Sequence, residues 1–261
     1  MSQFINDIVR CWSEYGSSYL AGAGRTIVIS LVGTVIGCII GFAVGIVQTI
    51  PENKSDSAAK KCIIKFFKAL LRIYVEVFRG TPMIVQAVFL YYGARMVFGL
   101  QMSMWGAAFF VVSINTGAYM AETVRGGINS IDPGQVEGAK AIGMNHFQTM
   151  MSVILPQAFR NIIPQIGNNL IINIKDTSVL SVISVSELFF VHKSVSGALY
   201  TYFPSATITM AIYLTMTVTA SLLLRLLESR LDGDAAFDLA TTDTLAHTSG
   251  MLTYHEKKKD K

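Results

Sequence analysis

The feature that most constrains the fold is a stretch without charge from Thr26 to Val47. As an α-helix it is long enough to cross a hydrocarbon core of about 30 Å. Gly33, Gly37, Gly41 and Gly45 recur within it at every fourth position. Small residues at this spacing let a second helix pack closely in lipid. The stretch therefore predicts a membrane-spanning helix with one closely packed face.

The composition of the whole chain agrees with a membrane protein. Of its 261 residues, 52% are hydrophobic and only 15% carry a charge, whereas soluble domains carry about 25% charged residues. The net charge of +4 is too small to indicate nucleic-acid binding. We therefore predict an all-α integral membrane protein with five transmembrane helices. Their approximate bounds are 26–48, 63–94, 96–122, 160–180 and 205–225.

The lysines predict how the chain is oriented. A cluster of them follows the first span: Lys54, Lys60, Lys61, Lys65 and Lys68. Because positive residues favour the cytoplasmic side of a membrane, the N-terminus is expected outside and the C-terminus in the cytoplasm. Lys193, in an external connection, is the exception. Around a transmembrane domain of residues 24–228, we expect residues 1–23 at the membrane surface and residues 229–261 in a disordered cytoplasmic tail.

The second and fourth predicted spans each contain two charged side chains close together in the sequence that call for an explanation. Glu76 and Arg79 are three residues apart and can pair on one helix face. Lys175 and Asp176 are adjacent. Charged residues inside a membrane pair with one another or line a water-filled pathway. Ion pairing near the membrane surface and a role in gating or solute passage therefore both remain open for these four residues.

Uncharged polar side chains form a stripe in the fourth span. Asn169 and Asn173 lie four residues apart, and Gln165 shares their face one turn earlier. A polar stripe is costly in lipid unless it meets protein or water. We expect it to line a dimer interface or the solute pathway, the latter together with Tyr119 and Gln86 of the neighbouring spans.

The loop of residues 130–150 has the pattern of a docking helix. Asp132 can cap a helix, and Pro133 fits its first position. Asn145 with Gln148 predicts a second helix start. A short capped helix in a polar loop between membrane spans buries little of itself. The pattern therefore favours a surface that another protein binds.

Small residues in this loop carry a family resemblance. Ala139 and Gly143 are four residues apart, and a partner can approach closely on the face that they share. Glu137-Gly138-Ala139, then Gly143, then Ile154-Leu155-Pro156 resemble the EAA loop of ABC-importer permeases. FRGTPMIVQ and KDTSVLSVISVSEL are similar to segments of polar amino-acid permeases of the histidine and glutamine type. The resemblance covers about residues 24–228.

This resemblance implies a subunit of an ATP-driven importer in the bacterial inner membrane. It implies that Glu137, Gly138, Ala139 and Gly143 couple the chain to ABC ATPase subunits, although Gly138 stands where the family usually has alanine. ATP and Mg belong to those subunits, so this chain is expected to bind no cofactor or metal. The other implied partners are a second permease (the same chain or a sister chain), an extracytoplasmic solute-binding protein, a polar or charged amino acid as substrate, and membrane lipid.

The sequence lacks the motifs of nucleotide-binding proteins and enzymes. The chain has no Gly-Lys dipeptide and hence no P-loop, and we do not expect an enzyme. Its four histidines are scattered and are expected to be solvated. An ion-coupled secondary transporter or channel is the alternative, and it would explain Glu76, Lys175 and Asp176. Five spans without an evident repeat are few for that class.

Overall fold

The computed structural model describes residues 2–50 and 57–231, and the regular structure in this part is helical. We number the helices α1 Ser2–Thr49, α2 Ala58–Gly80, α3 Met83–Phe98, α4 Met104–Asn129, α5 Pro133–Ala141, α6 His146–Thr149, α7 Leu155–Asp176, α8 Leu188–Leu199 and α9 Tyr202–Leu231. A π-helical turn, Met150–Ile154, joins α6 to α7, and a 3-10 turn, Thr177–Ile183, follows α7. Lys54 and most of the predicted tail lie outside the described residues.

The first helix continues through the predicted boundary between residues 23 and 24. α1 is a single helix of 48 residues, so the N-terminal segment is not separate from the first span. Its first half packs against α8 and α9 in an apolar cluster formed by Cys11, Tyr19, Leu188, Val191, Val195 and Ile208. These contacts make the N-terminal segment part of the helical bundle.

The glycine stripe of α1 faces α4. The facing pairs are Gly33 with Val112, Gly37 with Thr116, Gly41 with Met120 and Gly45 with Val124. A Cβ on any of these glycines would lie 2.3–2.7 Å from an atom of the facing residue, which is closer than non-bonded atoms can approach. The predicted close packing is therefore confirmed. Because the residue numbers rise together along both helices, α1 and α4 run in the same direction.

The second predicted span, 63–94, is wrong as a single helix. α2 ends at Gly80, α3 begins at Met83, and the two helices are bent by 111°. Pro82 lacks the N–H that an uninterrupted helix needs, and its ring disfavours a helical conformation at Thr81. The polar backbone at this break needs partners from elsewhere in the chain.

The remaining predicted spans overlap α4, α7 and α9 but do not share their bounds. α4 begins at Met104 and ends at Asn129, not at the predicted 96 and 122, because Ser103 caps its start. Within the described residues, α1 and α9 are long and apolar enough to cross a membrane, and α2 with α3 adds a third span if the bent pair counts as one. α4 and α7 carry polar residues that face one another in the protein interior, such as Thr116 and Asn173. These polar residues are part of the candidate site.

Candidate functional site

The loop predicted as a docking element contains two capped helices. Asp132 Oδ1 accepts a hydrogen bond of 2.7 Å from the N–H of Gly134, and Pro133 begins α5. At α6, the side chains of Asn145 and Gln148 each accept from the other's backbone N–H at 2.9 Å. Both predicted caps are confirmed. They stabilise the two helix starts from within this chain.

The four residues of the predicted coupling motif do not share one surface. Glu137 and Gly138 are exposed, whereas Ala139 is only 5% exposed and faces the interior of the chain. Gly143 is exposed and has a φ of +82°, a left-handed conformation that favours glycine where a helix ends. Glu137 and Gly138 are therefore open to a partner, Ala139 packs α5 onto the bundle, and Gly143 forms the turn.

Two large apolar side chains in the same loop were not singled out from the sequence. Ile142 is 79% exposed and Phe147 is 72% exposed, one on each side of the turn at Gly143. Their apolar character was visible in the sequence, but burial against the chain's own spans would have fitted equally well. Exposed apolar side chains close together on one surface are a feature that protein-binding sites share. We call Glu137, Gly138, Ile142 and Phe147 the docking surface.

Gln86, predicted to line the pathway, holds the bend between α2 and α3. It is 6% exposed, and its Nε2 donates to the carbonyl oxygens of Phe78 and Thr81 at 2.9 Å each. Asn115 of α4 donates to Gln86 Oε1 at 3.0 Å and to the Phe78 carbonyl at 3.1 Å. The last carbonyls of α2 have no partner within their own helix. Gln86 and Asn115 supply these partners, so Gln86 is not open to a solute in this conformation.

Replacing Gln86 with leucine is expected to destabilise the folded chain by about 1–3 kcal/mol, because buried carbonyl and amide groups at the bend lose their partners. The matched control is Gln101→Leu, since Gln101 is exposed in the connection between α3 and α4. Thermal unfolding in detergent compares the two variants. An unchanged unfolding midpoint for Gln86→Leu would contradict its role at the bend.

Asn173 joins three helices at a buried polar junction. Its Nδ2 donates to Thr34 Oγ1 of α1 at 2.8 Å and to Thr116 Oγ1 of α4 at 3.0 Å, and the residue is 5% exposed. Asn169, one turn earlier, is half-buried and donates to the carbonyl of Gln165 at 2.9 Å. The polar stripe of α7 therefore meets protein at Asn173 and stays partly open at Asn169.

Charged residues at the end of α2 pair with α4. Glu122 Oε2 lies 3.7 Å from Arg79 Nη1, and Arg125 donates to both carboxylate oxygens of Glu122. The Arg79 guanidinium also lies 5.6 Å from the centre of the Tyr119 ring, in a cation–π contact. The predicted pair of Glu76 with Arg79 is not formed. Glu76 is exposed and has no ion pair among the residues that the structure describes.

Of the four predicted pathway residues, Tyr119 is the most exposed, and the charged side chains beside it are also partly open. The side chains of Arg79, Glu122 and Arg125 are 33–43% exposed, and together they carry one excess positive charge. Tyr119 is 42% exposed. We call these four residues the charge cluster. Neither Glu122 nor Arg125 was predicted as a site residue. Their spacing of three fits a pair on one helix face, but the contact of Glu122 with Arg79 of α2 has no signal in the sequence.

Lys175 and Asp176 lie at the end of α7 and are both exposed. Lys175 borders two cavities, of about 220 Å³ and 370 Å³, between α7 and the helices that follow it. No salt bridge joins Lys175 to Asp176 in the described part of the chain. Lys175 therefore faces open space between helices.

Glu187 is a fully buried carboxylate that no sequence motif predicted as a site residue. Its Oε1 accepts from the N–H of Phe190 at 2.7 Å, and its Oε2 accepts from the N–H of Phe189 at 2.8 Å and from the Tyr213 hydroxyl at 2.9 Å. It thereby caps α8 and ties it to α9. The available signal was weak: an acidic residue directly before an apolar run is favourable at a helix N-terminus, but glutamate is not among the common N-cap residues.

His192 is buried, so the expectation of a solvated side chain was wrong for this residue. It is 2% exposed, and its Nδ1 lies 2.9 Å from Ser205 Oγ, which in turn lies 2.5 Å from the Tyr19 hydroxyl. The reason is that α8 folds back against α1 and α9. Within the described residues, no group of three or more His, Cys, Asp or Glu side chains is placed to hold a metal ion.

Helices that are long and apolar enough to cross a membrane, a charge cluster between α2 and α4, and a loop with two capped helices together indicate a membrane protein. Residues 63–233 match the family described as binding-protein-dependent transport system inner membrane component. The chain belongs to this family. The resemblance drawn from the sequence motifs is thereby confirmed.

Curated relatives include amino-acid permeases. The chain is 34% identical over 160 residues to the glutamine transport system permease protein GlnP of Escherichia coli, covering 61% of this chain and 73% of that protein. It is 33% identical over 173 residues to the arginine transport system permease protein ArtQ of Bacillus subtilis, covering 65% and 79%.

Solved structures show the same fold. An amino acid ABC transporter crystallised with histidines has a chain that superposes with a TM-score of 0.74 at 35% identity, covering 84% of this chain and 96% of that one. The MetNI methionine ABC transporter in an inward-facing conformation gives a TM-score of 0.63 at 20% identity, covering 81% and 93%. The second likeness shows the fold alone.

Proposed function

We propose that this chain is the transmembrane permease subunit of an ATP-binding-cassette importer that moves a polar or charged amino acid into a bacterial cell. The observation that carries the proposal is the likeness, at 35% identity over 84% of this chain, to an amino acid ABC transporter. Relatives named for glutamine and arginine transport support this substrate class. ATP and Mg are proposed to bind separate ATPase subunits, with no cofactor or catalysis on this chain.

Five spans are proposed to cross the inner membrane: α1, the bent pair α2–α3, α4, α7 and α9. The parallel contact of α1 with α4 supports this arrangement, because the chain must cross back between two helices that run in the same direction. The lysine cluster after α1 supports a cytoplasmic connection there. The N-terminus is then outside and the C-terminus in the cytoplasm.

The docking surface is proposed to bind an ABC ATPase subunit. Three residues connect α4 to α5, and α6 continues through the π-helical turn into α7. A displacement of the loop therefore reaches α4 and α7, which are joined by the hydrogen bond of Thr116 with Asn173. Closure of two ATPase subunits on ATP is proposed to move these helices as a rigid unit.

The charge cluster is proposed to lie along the solute pathway between two permease subunits. Its excess positive charge offers a guanidinium group to the carboxylate that every amino acid carries. A solute-binding protein delivers the amino acid from outside. Tyr119 and Asn169 remain pathway residues in this proposal, whereas Gln86 and Asn173 support the helices that carry them.

The double variant Ile142→Ser/Phe147→Ser is expected to bind the ATPase at least about tenfold more weakly, because it removes apolar groups that only a partner can cover. The matched control is Met96→Ser/Phe98→Ser, which changes two residues that are also highly exposed but lie on α3. Co-purification of the ATPase in mild detergent and ATP-driven uptake in vesicles are the measurements.

Glu137→Arg is expected to give the same loss of coupling without loss of membrane insertion. Normal ATP-driven uptake by both docking-surface variants would contradict the assignment of this surface. A chain that purifies without an ATPase and moves solute on an ion gradient would instead support the alternative of a secondary transporter. The exposed carboxylate of Glu76 would then be the first residue to test.

A further inference from the structure

The start of α2 has a row of positive side chains on one face. Lys61, Lys65, Lys68 and Arg72 follow one another at intervals of three or four residues, so they lie above one another on the helix. We call these four residues the basic face. Arg72 is exposed and forms no ion pair among the described residues. The basic face therefore presents at least one guanidinium to its surroundings.

The opposite side of the same helix is apolar and uncovered. Its large side chains are 51–65% exposed: Ile63, Phe66, Phe67, Leu70 and Ile73. An amphipathic helix with aromatic and aliphatic groups on one side and Lys and Arg on the other is the kind that lies at a membrane–water boundary. The two faces of α2 thus fit lipid acyl chains on one side and polar headgroups on the other.

Contacts with α1 place the basic face at the depth of the headgroups. Lys68 Nζ donates to the carbonyl of Ile50, directly after the end of α1 at Thr49, whereas Val75 packs with Val44 within the apolar part of α1. Lys61 lies about 10 Å before Lys68 along the helix. The headgroup region is about 5–8 Å thick on each side of the hydrocarbon core. Lys61 to Lys68 therefore fall within or next to that layer.

The C-terminal end of α2 does not belong to the basic face. Glu76 interrupts the row of positive charges, and Arg79 is bound by Glu122 of α4. The basic face thus ends at Arg72, which lies about one helical turn closer to the hydrocarbon core than Lys68. Long Lys and Arg side chains at such a depth extend towards the headgroups while their stems stay in the apolar region.

We propose that the basic face binds the phosphate groups of anionic phospholipids in the leaflet where α1 ends. A phosphodiester accepts charge-assisted hydrogen bonds from Lys and Arg, and the guanidinium of Arg72 can donate two in parallel. The exposed apolar side of α2 packs against the acyl chains of the same leaflet. A phospholipid without net charge has the same phosphate but carries a compensating cation. The attraction therefore selects for net negative lipid.

Native mass spectrometry of the full chain, with any subunits that remain bound, measures this preference directly. Phosphatidylglycerol is titrated into the detergent-solubilised protein, and phosphatidylcholine serves as the uncharged comparison. The variant Lys65→Gln/Arg72→Gln is expected to bind phosphatidylglycerol about fivefold to twentyfold more weakly, with its affinity for phosphatidylcholine unchanged. Lys68 is kept, because its contact with Ile50 holds α2 to α1.

Two further variants make the result decisive. Arg95→Gln/Lys193→Gln removes two exposed positive charges away from the basic face and is expected to leave phosphatidylglycerol binding unchanged. Lys65→Arg/Arg72→Lys keeps both charges and is expected to retain phosphatidylglycerol binding.

The proposal would be overturned if folded Lys65→Gln/Arg72→Gln bound phosphatidylglycerol as tightly as the unchanged chain. An equal loss of affinity in Arg95→Gln/Lys193→Gln would overturn it as well. Loss of a protein subunit without loss of lipid would assign the face to that protein instead. Since lipid binding is measured without transport, this test is independent of the proposed function.

Discussion

Gly41→Ala is expected to lower the stability of the folded chain by about 2–3 kcal/mol, although it adds a single methyl group. A Cβ at this position would lie 2.3 Å from the Cβ of Met120, 2.8 Å from its carbonyl carbon and 2.9 Å from the backbone nitrogen of Ala121. Two of these three atoms belong to the backbone of α4 and cannot be relieved by a rotamer change. α1 and α4 must therefore move apart, and their other contacts weaken together.

Gly24→Ala is the matched control, because it makes the same substitution in the same helix. A Cβ at Gly24 meets no atom within 4 Å, and alanine favours a helix over glycine by about 1 kcal/mol. The control is expected to be neutral or stabilising, so the two variants should shift the thermal unfolding midpoint in opposite directions. Equal shifts for both would mean that helix propensity, and not the α1–α4 contact, decides the effect.

The contact that this pair of variants tests is the part of the fold that the sequence predicted best. Glycines at every fourth position of an apolar helix leave one interpretation, a close helix–helix contact, because lipid itself gives no reason for the spacing. The caps at Asp132 and Asn145 were equally readable, since a cap depends only on residues within one turn. Local and periodic patterns thus carried most of what could be predicted.

The bend between α2 and α3 shows what the sequence could not predict. Pro82 indicated an interruption, but a proline is compatible with a mild kink or with a complete break. The size of the bend depends on whether other groups can satisfy the freed carbonyls. Gln86 and Asn115 do so, and Asn115 belongs to a helix more than thirty positions away from Phe78. A contact of this kind has no periodic signature in one sequence.

The same limitation explains the division within the predicted pathway residues. Asn169 and Asn173 look identical in the helical pattern, and each could face water, a second subunit or the chain itself. Asn173 donates to the hydroxyl groups of Thr34 and Thr116. Thr34 follows Gly33 in the glycine stripe of α1, and Thr116 is the residue of α4 that faces Gly37. The partners of Asn173 therefore follow from the α1–α4 packing, because the close contact of these helices brings both hydroxyl groups within reach of one amide.

Glu187→Ala is expected to destabilise the folded chain by about 3–4 kcal/mol and to abolish uptake. The substitution removes a helix cap, which is worth about 1 kcal/mol, and leaves the buried hydroxyl of Tyr213 and two backbone N–H groups without their acceptor. Glu187→Gln keeps an acceptor oxygen at the same place and is expected to lose about half as much. Glu76→Ala is the control, because Glu76 is an exposed carboxylate without an ion pair among the described residues.

The partner of Glu187 allows a sharper test of why the loss occurs. Tyr213→Phe removes the hydroxyl that Glu187 accepts from, so the double variant Glu187→Ala/Tyr213→Phe leaves one fewer unsatisfied buried group than the sum of the single variants. Its destabilisation should therefore be smaller than that sum by about 1 kcal/mol or more, measured by thermal unfolding in detergent. Strict additivity would mean that Glu187 acts only as the cap of α8. In that case the carboxylate would have no role in joining α8 to α9, which would be held together by apolar packing and by the contact of His192 with Ser205.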